Sequence, residues 1–246
     1  MATINETLTF QEPGRISTGP EDSVLAGIWR QILTDLKVDS TLLSEKINKY
    51  AERVTQSKPS KLAQVRGNLR TDVSKTTMTW FTLMKCLRVL DVDFVSMEFK
   101  CQHVHRNSSH LLGVKLEDIQ VDELDEDKSD STEPNTLSLF FKDILFNLDV
   151  GVLLFEELLN RFMARTKIDR NLRSKTNIRG YIKKDFYAPR MSWKNFIKGM
   201  NFLCVLRMDI AITLSFRKGR VSTHQYSVQL ASREDYADEI LTGRGI

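Results

Sequence analysis

Nine cations fall within 26 residues of this 246-residue chain: Arg165, Lys167, Arg170, Arg173, Lys175, Arg179, Lys183, Lys184 and Arg190. Asn171, Asn177, Tyr181 and Tyr187 stand among them. Phosphate recognition uses this mixture: cations offset the backbone charge, amides and hydroxyls orient it, and aromatic faces stack on unpaired bases. Lys194, Lys198 and Asn201 follow at i, i+4, i+7 and share one helix face, opposite the stripe that contains Trp193. Arg217, Lys218 and Arg220 come next, beside a glycine turn. From Arg161 to Arg220 there are 16 basic and three acidic residues, a net of +13, in a chain whose overall charge is +4. The balance is struck elsewhere: Glu117 to Glu133 holds nine acids and one lysine, a net of −8. Charge asymmetry of this kind speaks about partners and not about fold. The partner it predicts is nucleic acid, DNA or RNA, bound without catalysis. The alternative partner is an acidic protein surface, in a structural subunit of a larger assembly, a viral particle among the candidates.

Other chemistry-bearing residues are sparse. Cys101, His103 and His105 alternate, so a strand through them would aim all three at one side, a half-site for zinc or another transition metal. The spacing matches no common zinc signature, and the expectation is a half-exposed strand with no metal and no cofactor. Arg66-Gly67 and Arg179-Gly180 read as a glycine turn offered to a phosphate or, preferred, as a helix junction whose arginine pairs with Asp72 or Asp185. Glu156-Glu157 and Asp125-Glu126-Asp127 are adjacent carboxylates with no base or metal ligand beside them. There is no glycine-rich phosphate loop, no His-Glu-x-x-His and no nucleophile elbow, so an enzyme is not expected.

What must position these residues is visible as a repeat. Val65-Arg66-Gly67 through Asp72 matches Ile178-Arg179-Gly180 through Asp185, and Met78-Thr79-Trp80 through Leu90 matches Met191-Ser192-Trp193 through Leu203, both at an offset of 113. Ile32–Leu36 faces Ile144–Leu148, and Ser108-Ser109-His110 faces Ser222-Thr223-His224. Val95, Met97 and Phe99 are set against Ile212, Leu214 and Phe216. The division that follows is an N-terminal arm over 1–22, repeat 1 over 23–116, an acidic linker over 117–136, repeat 2 over 137–230 and a C-terminal tail over 231–246.

Within repeat 1, Val24–Leu36 and Thr41–Val54 carry apolar residues at the helical period, with Ser23 and Ser40 or Thr41 as caps. A weaker helix over Ser60–Thr71, a fourth from Thr79 with Trp80 on its apolar stripe, and strands Val92–Cys101 and His110–Leu116 complete it. Repeat 2 has the same order: Leu137–Leu148, Val152–Ala164, a weaker piece over Lys175–Lys184, Ser192–Leu203, then Met208–Phe216 and Thr223–Leu230. The fold class is α+β, a tandem duplication of a small helical domain ending in a β-hairpin. Its element order is that of a winged helix-turn-helix module, and the hairpins of the two copies can alternatively join into one four-stranded sheet.

Composition adds limits. No run of 18 apolar residues exists, and Met1 to Gln11 lacks the charged-then-apolar pattern of a signal peptide, so neither a membrane partner nor export is expected. Three scattered cysteines, Cys86, Cys101 and Cys204, make no disulfide framework and point to a reducing, cytoplasmic location.

Overall fold

The computed structural model describes residues 7–10, 22–118, 135–165, 180, 183–184 and 186–237. It is an α+β protein in which helices cover one side of a twisted sheet. Seven α-helices are described in full: α1 (Asp22–Asp35), α2 (Ser40–Val54), α3 (Leu62–Ser74), α4 (Trp80–Val89), α5 (Thr136–Asn147), α6 (Val152–Arg165) and α7 (Trp193–Phe202). The strands are β1 (Thr7–Phe10), β2 (Val92–His103), β3 (Asn107–Lys115), β4 (Val205–Phe216) and β5 (Val221–Gln229), in the spatial order β1-β5-β4-β2-β3.

Helix starts follow capping chemistry. Asp39, rather than Ser40 or Thr41, caps α2 by accepting from the Leu42 N–H at 2.7 Å. Thr79 and Ser192 cap α4 and α7 by accepting from Thr82 and Asn195, each at 3.1 Å, and Asn135 caps α5 through Ser138. α1 begins at Asp22, one residue ahead of the expected Ser23 cap. Arg66 and Gly67 correct a sequence expectation: they lie inside α3, at no junction, and Arg66 pairs with Glu52 rather than with Asp72. Asp72 instead holds Lys75 and Lys85.

Elements of the first half recur in the second. α4 and α7 begin 113 residues apart, as do β2 and β4, and β3 and β5 begin 114 apart. The turn between the second pair of strands, Arg217 to Arg220, is one residue longer than Val104 to Arg106. The described non-glycine residues with positive φ also fall in two pairs, Lys37 with Asp149 and Asp91 with Cys204. These positions correct the alignment of the strands: β2 starts 113 residues before β4, so Val95, Met97 and Phe99 correspond to Met208, Ile210 and Ile212, and the set Ile212, Leu214 and Phe216 is four residues too far on.

The hairpins are not separate wings. β2 and β4 pair antiparallel, with Met97 opposite Ile212 and Val95 opposite Leu214, and join the hairpins into one four-stranded antiparallel sheet. β1 adds to it parallel to β5, with Thr7 opposite Gln225. Alternation along each strand sends Val95, Met97, Phe99, Met208, Ile210, Ile212 and Leu214 under the helices, all at most 1 % exposed. One continuous cluster runs from Leu25 on α1 to Tyr236 near the end of the described chain. At its centre Trp80 and Trp193 stack, centroids 6.0 Å apart and planes within 4°. Gly199 in α7 permits the close approach of α5, since a Cβ there would lie 2.5 Å from the Phe141 ring. A smaller cluster of Ile47, Tyr50, Ala51, Val65, Leu69 and Val89 binds α2, α3 and α4 together. Among the described residues no helix is long and apolar enough to cross a membrane.

Candidate nucleic-acid interface

Lys167, Arg170, Arg173, Lys175 and Arg179 lie outside the described residues, as does the side chain of Arg165 at the end of α6. The others divide into three places. Lys183 and Lys184 are helical, as are Phe186 and Tyr187; Lys183 is bound to Glu156 on α6 while Lys184 is exposed. Lys194 and Lys198 ride on α7, which turns Trp193, Phe196, Ile197 and Met200 into the core. Lys194 is exposed; Lys198 and Arg190 are half-buried. Arg217, Lys218 and Arg220 form the β4–β5 turn, closed by Gly219 at φ 76° and by the Phe216 N–H donating to the Arg220 carbonyl at 2.9 Å. The Arg220 guanidinium lies 5.6 Å from the centre of the Phe216 ring.

The turn is anchored to the first half. The Arg217 N–H donates to the Asp91 carbonyl at 2.9 Å, and the guanidinium reaches Asp93 at 3.6 Å and Asp118 at 3.8 Å. Those carboxylates belong to a wider network. Lys46 and Arg53 both hold Asp91, at 2.7 and 3.0 Å, Arg53 also reaches Asp118 at 3.1 Å, and Arg88 joins Asp118 at 2.7 Å and Asp93. Burial works against a charged Arg88, but Asp93 and Asp118 outweigh it and hold its pKa above the ordinary arginine value. Burial likewise works against a charged Asp91, and Lys46 and Arg53 outweigh it and lower its pKa. Asp118, near the start of the acidic stretch, thus ties two arginines of the first half to one of the second.

Both halves hold paired and unpaired cations, and Arg30, Lys37, Lys49, Arg70 and Lys115 of the first stand exposed with no ion pair among the described residues. In the first, Lys46, Arg53, Lys75, Lys85 and Arg88 each contact a carboxylate. In the second, Lys184, Lys194 and Lys218 are exposed and make no ion pair among the described residues. The α4 face that corresponds to Lys194, Lys198 and Asn201 carries Phe81, Lys85 and Arg88; Lys85 and Arg88 are consumed internally, and Phe81 is 60 % exposed.

The Cys101, His103, His105 trio does not line one face. Cys101 and His103 point under the helices from β2, while His105 lies past the strand end and is exposed. The His103 Nδ1–H donates to the Leu203 carbonyl at 2.9 Å, and its Nε2 meets the Ser108 hydroxyl at 2.8 Å. The same hydroxyl meets His110 Nε2 at 2.9 Å. Burial, only partly countered by the Leu203 carbonyl, lowers the His103 pKa to about 4. Burial also lowers that of His110, whose Nδ1 is buried with no partner among the described residues. The Cys101 and Cys86 thiols are pushed up to about 12, chiefly by burial, and stay protonated. Among the described residues no group of three or more His, Cys, Asp or Glu is placed to hold a metal.

One constellation escaped sequence reasoning. His224 Nδ1–H donates to Asp35 on α1 at 2.6 Å, and Ser222 Oγ lies 3.1 Å from His224 Nε2. This is the bond order of a nucleophilic serine relay. The repeated Ser-x-His was visible in the sequence, but Asp35 lies 189 positions away. In the first half the corresponding residues are Ser108 and His110, with Asn147 at the position of Asp35. Only the His224 version ties an outer strand to a helix through its Nδ1; that of His110 has no partner among the described residues. A cleft of about 670 Å³ opens instead on the bare face of the sheet, lined by residues including Glu98, Lys100, Gln102, Asn107 and Asp209.

No known protein family, curated protein or solved structure matches this chain.

Proposed function

We propose that the chain binds nucleic acid through the basic surface of its second half, and that the halves are copies of one helical unit ending in a β-hairpin. The observation that carries the reading is the contrast in cations. Lys184, Lys194 and Lys218 of the second half stand exposed in a segment of net charge +13, and the first half has Thr71 and Phe81 where the second has Lys184 and Lys194. In the winged-helix-like order the hairpin would be a free wing; here its turn is held by first-half carboxylates, so contact falls to α7 and the residues before it. Binding of this kind is dominated by release of counterions from phosphates, roughly 0.9 of a counterion per contact on a duplex. Titration of the full chain with a DNA duplex and with single-stranded RNA at two salt concentrations tests it. The expected result is a steep salt slope that falls by about two contacts when Lys184 and Lys194 are both changed to Glu. Binding that ignores salt, or that the double variant leaves unchanged, would overturn it.

A second reading, a subunit of a protein assembly, is favoured by the corner between α5 and α6. Phe146, Val152 and Leu153 are 84, 80 and 88 % exposed there. The corresponding residues of the first half are Thr34, Ser40 and Thr41. Clustered exposed apolar side chains mark contact surfaces. Installing the three first-half residues together should leave the fold intact and abolish association with the partner; unchanged association would count against this reading.

A further inference from the structure

The two edges of the sheet are finished differently. β5 is covered by β1, which pairs along Gln225 to Val228. β3 pairs with β2 on one side, and among the described residues nothing pairs with its other side. Proteins blunt an open edge with proline, bulges, charges or short length, because unpaired backbone groups invite another strand. β3 has few of these: its one charged residue is Lys115, at its last position. It is nine residues long, contains no proline, and from Asn107 to Val114 carries no lysine, arginine, aspartate or glutamate. Its register with β2 runs without a shift from Phe94 opposite Lys115 to Gln102 opposite Asn107.

Two positions at the open edge are more apolar than their counterparts, although Asn107 at its start corresponds to the exposed Val221 of β5. Leu111 is 70 % exposed, and the corresponding residue on the covered edge is Gln225, opposite Thr7. The helix packed on β3 is α5, which leaves Leu139 50 % exposed. The corresponding position of α1, the helix bonded to β5 through Asp35 and His224, is Gly27. At these two positions, one in each layer, the uncovered edge is the more apolar one.

We infer that the β3 edge is a self-association surface, on which a second copy of this chain pairs antiparallel through its own β3. The strand is complementary to itself about Leu111. Leu111 then faces its symmetry mate, Ser109 faces Gly113, Asn107 faces Lys115 and His110 faces Leu112, and no like charges meet. The chain already makes one such join internally, where β2 and β4 bring two hairpins together edge to edge. A twofold axis at Leu111 repeats that join between copies and gives a continuous sheet of ten strands, five from each chain. This stands apart from both readings of the second-half surface, since it uses neither Lys184 and Lys194 nor Val152 and Leu153.

Sedimentation equilibrium of the full chain after nuclease treatment and in high salt tests it, with nucleic acid removed as a bridge. The wild-type protein is expected as a reversible dimer. Leu111→Lys and Leu111→Glu, each with an unchanged circular dichroism spectrum, are expected to weaken the dimer about 100-fold, because like charges meet across the axis. An equimolar mixture of the two variants is expected to restore it, since a lysine then meets a glutamate. A wild-type protein monomeric at 100 µM, a dimer indifferent to both variants, or a mixture that fails to re-associate would each overturn the proposal.

Discussion

At the covered edge, α1 ends in Asp35, which bonds His224 of β5; at the open edge, α5 ends in Asn147, and His110 of β3 is left with a bare Nδ1. The covered edge carries Gln225 and Gly27 where the open edge carries Leu111 and Leu139. Elements of the same order are thus completed by a strand and a hydrogen bond on one side, and by exposed apolar side chains on the other. The difference teaches that the shared elements make the frame, while the substitutions between corresponding positions distribute its contacts.

The largest test of this comparison acts where the halves are most alike. Trp80→Ala and Trp193→Ala each remove a ring from the central stack and should each cost about 3–5 kcal/mol in denaturant unfolding. A large gap between the two would show that one half carries the core alone. Next in size is a pH effect centred on β2, the strand beside the open edge. His103 folds neutral with its pKa lowered to about 4, against 6.5 for the free side chain. Between those values the unfolded chain binds more protons than the folded one, so stability is full above about pH 6.5 and falls as pH drops towards 4. The loss reaches about 3 kcal/mol at two to three pKa units, with His110 adding in the same direction. His103→Gln should flatten most of that slope in unfolding curves measured at successive pH values.

Gly199→Ala drives a methyl group into the Phe141 ring and should destabilise by about 1–3 kcal/mol, partly recovered when Phe141→Leu is added. Asp35→Asn gives the covered edge the residue of the open one. It should cost about 1–2 kcal/mol, read as a shift in the denaturant midpoint with unchanged slope. The smallest effect belongs to Phe146→Thr, the reverse exchange on an exposed site. Its thermal midpoint should move by less than the equivalent of about 0.5 kcal/mol.

The helical layer was legible because its stripes have a period that slippage destroys: Leu25, Ile28, Trp29 and Ile32 correspond one for one to Leu137, Phe140, Phe141 and Ile144. The strands were legible as strands but not in register. Alternation has a period of two, so a shift of four residues keeps every apolar side chain on its proper face and reads as a match. Nor does alternation say which strand is the neighbour, and the β2–β4 join stayed an alternative until the backbone showed it. The exposed lysines of the second half could be read directly from charge density. The capture of Arg217 by Asp93 and Asp118 could not, because those partners lie about a hundred positions earlier in the chain. Asp35 was hidden from Ser222 and His224 by the same distance problem.

The β2–β4 join also constrains how this protein is made. Met97 pairs with Ile212, so two neighbouring inner strands of the sheet come from opposite halves of the chain. During synthesis, β2 and β3 are complete long before β4 leaves the ribosome, and β2 waits with an edge that has no partner. Closing a loop of that length comes late and slows folding relative to the local helices. Until it closes, the nascent first half displays two bare strand edges instead of one, and this is the interval in which the chain is most exposed to pairing with the wrong neighbour.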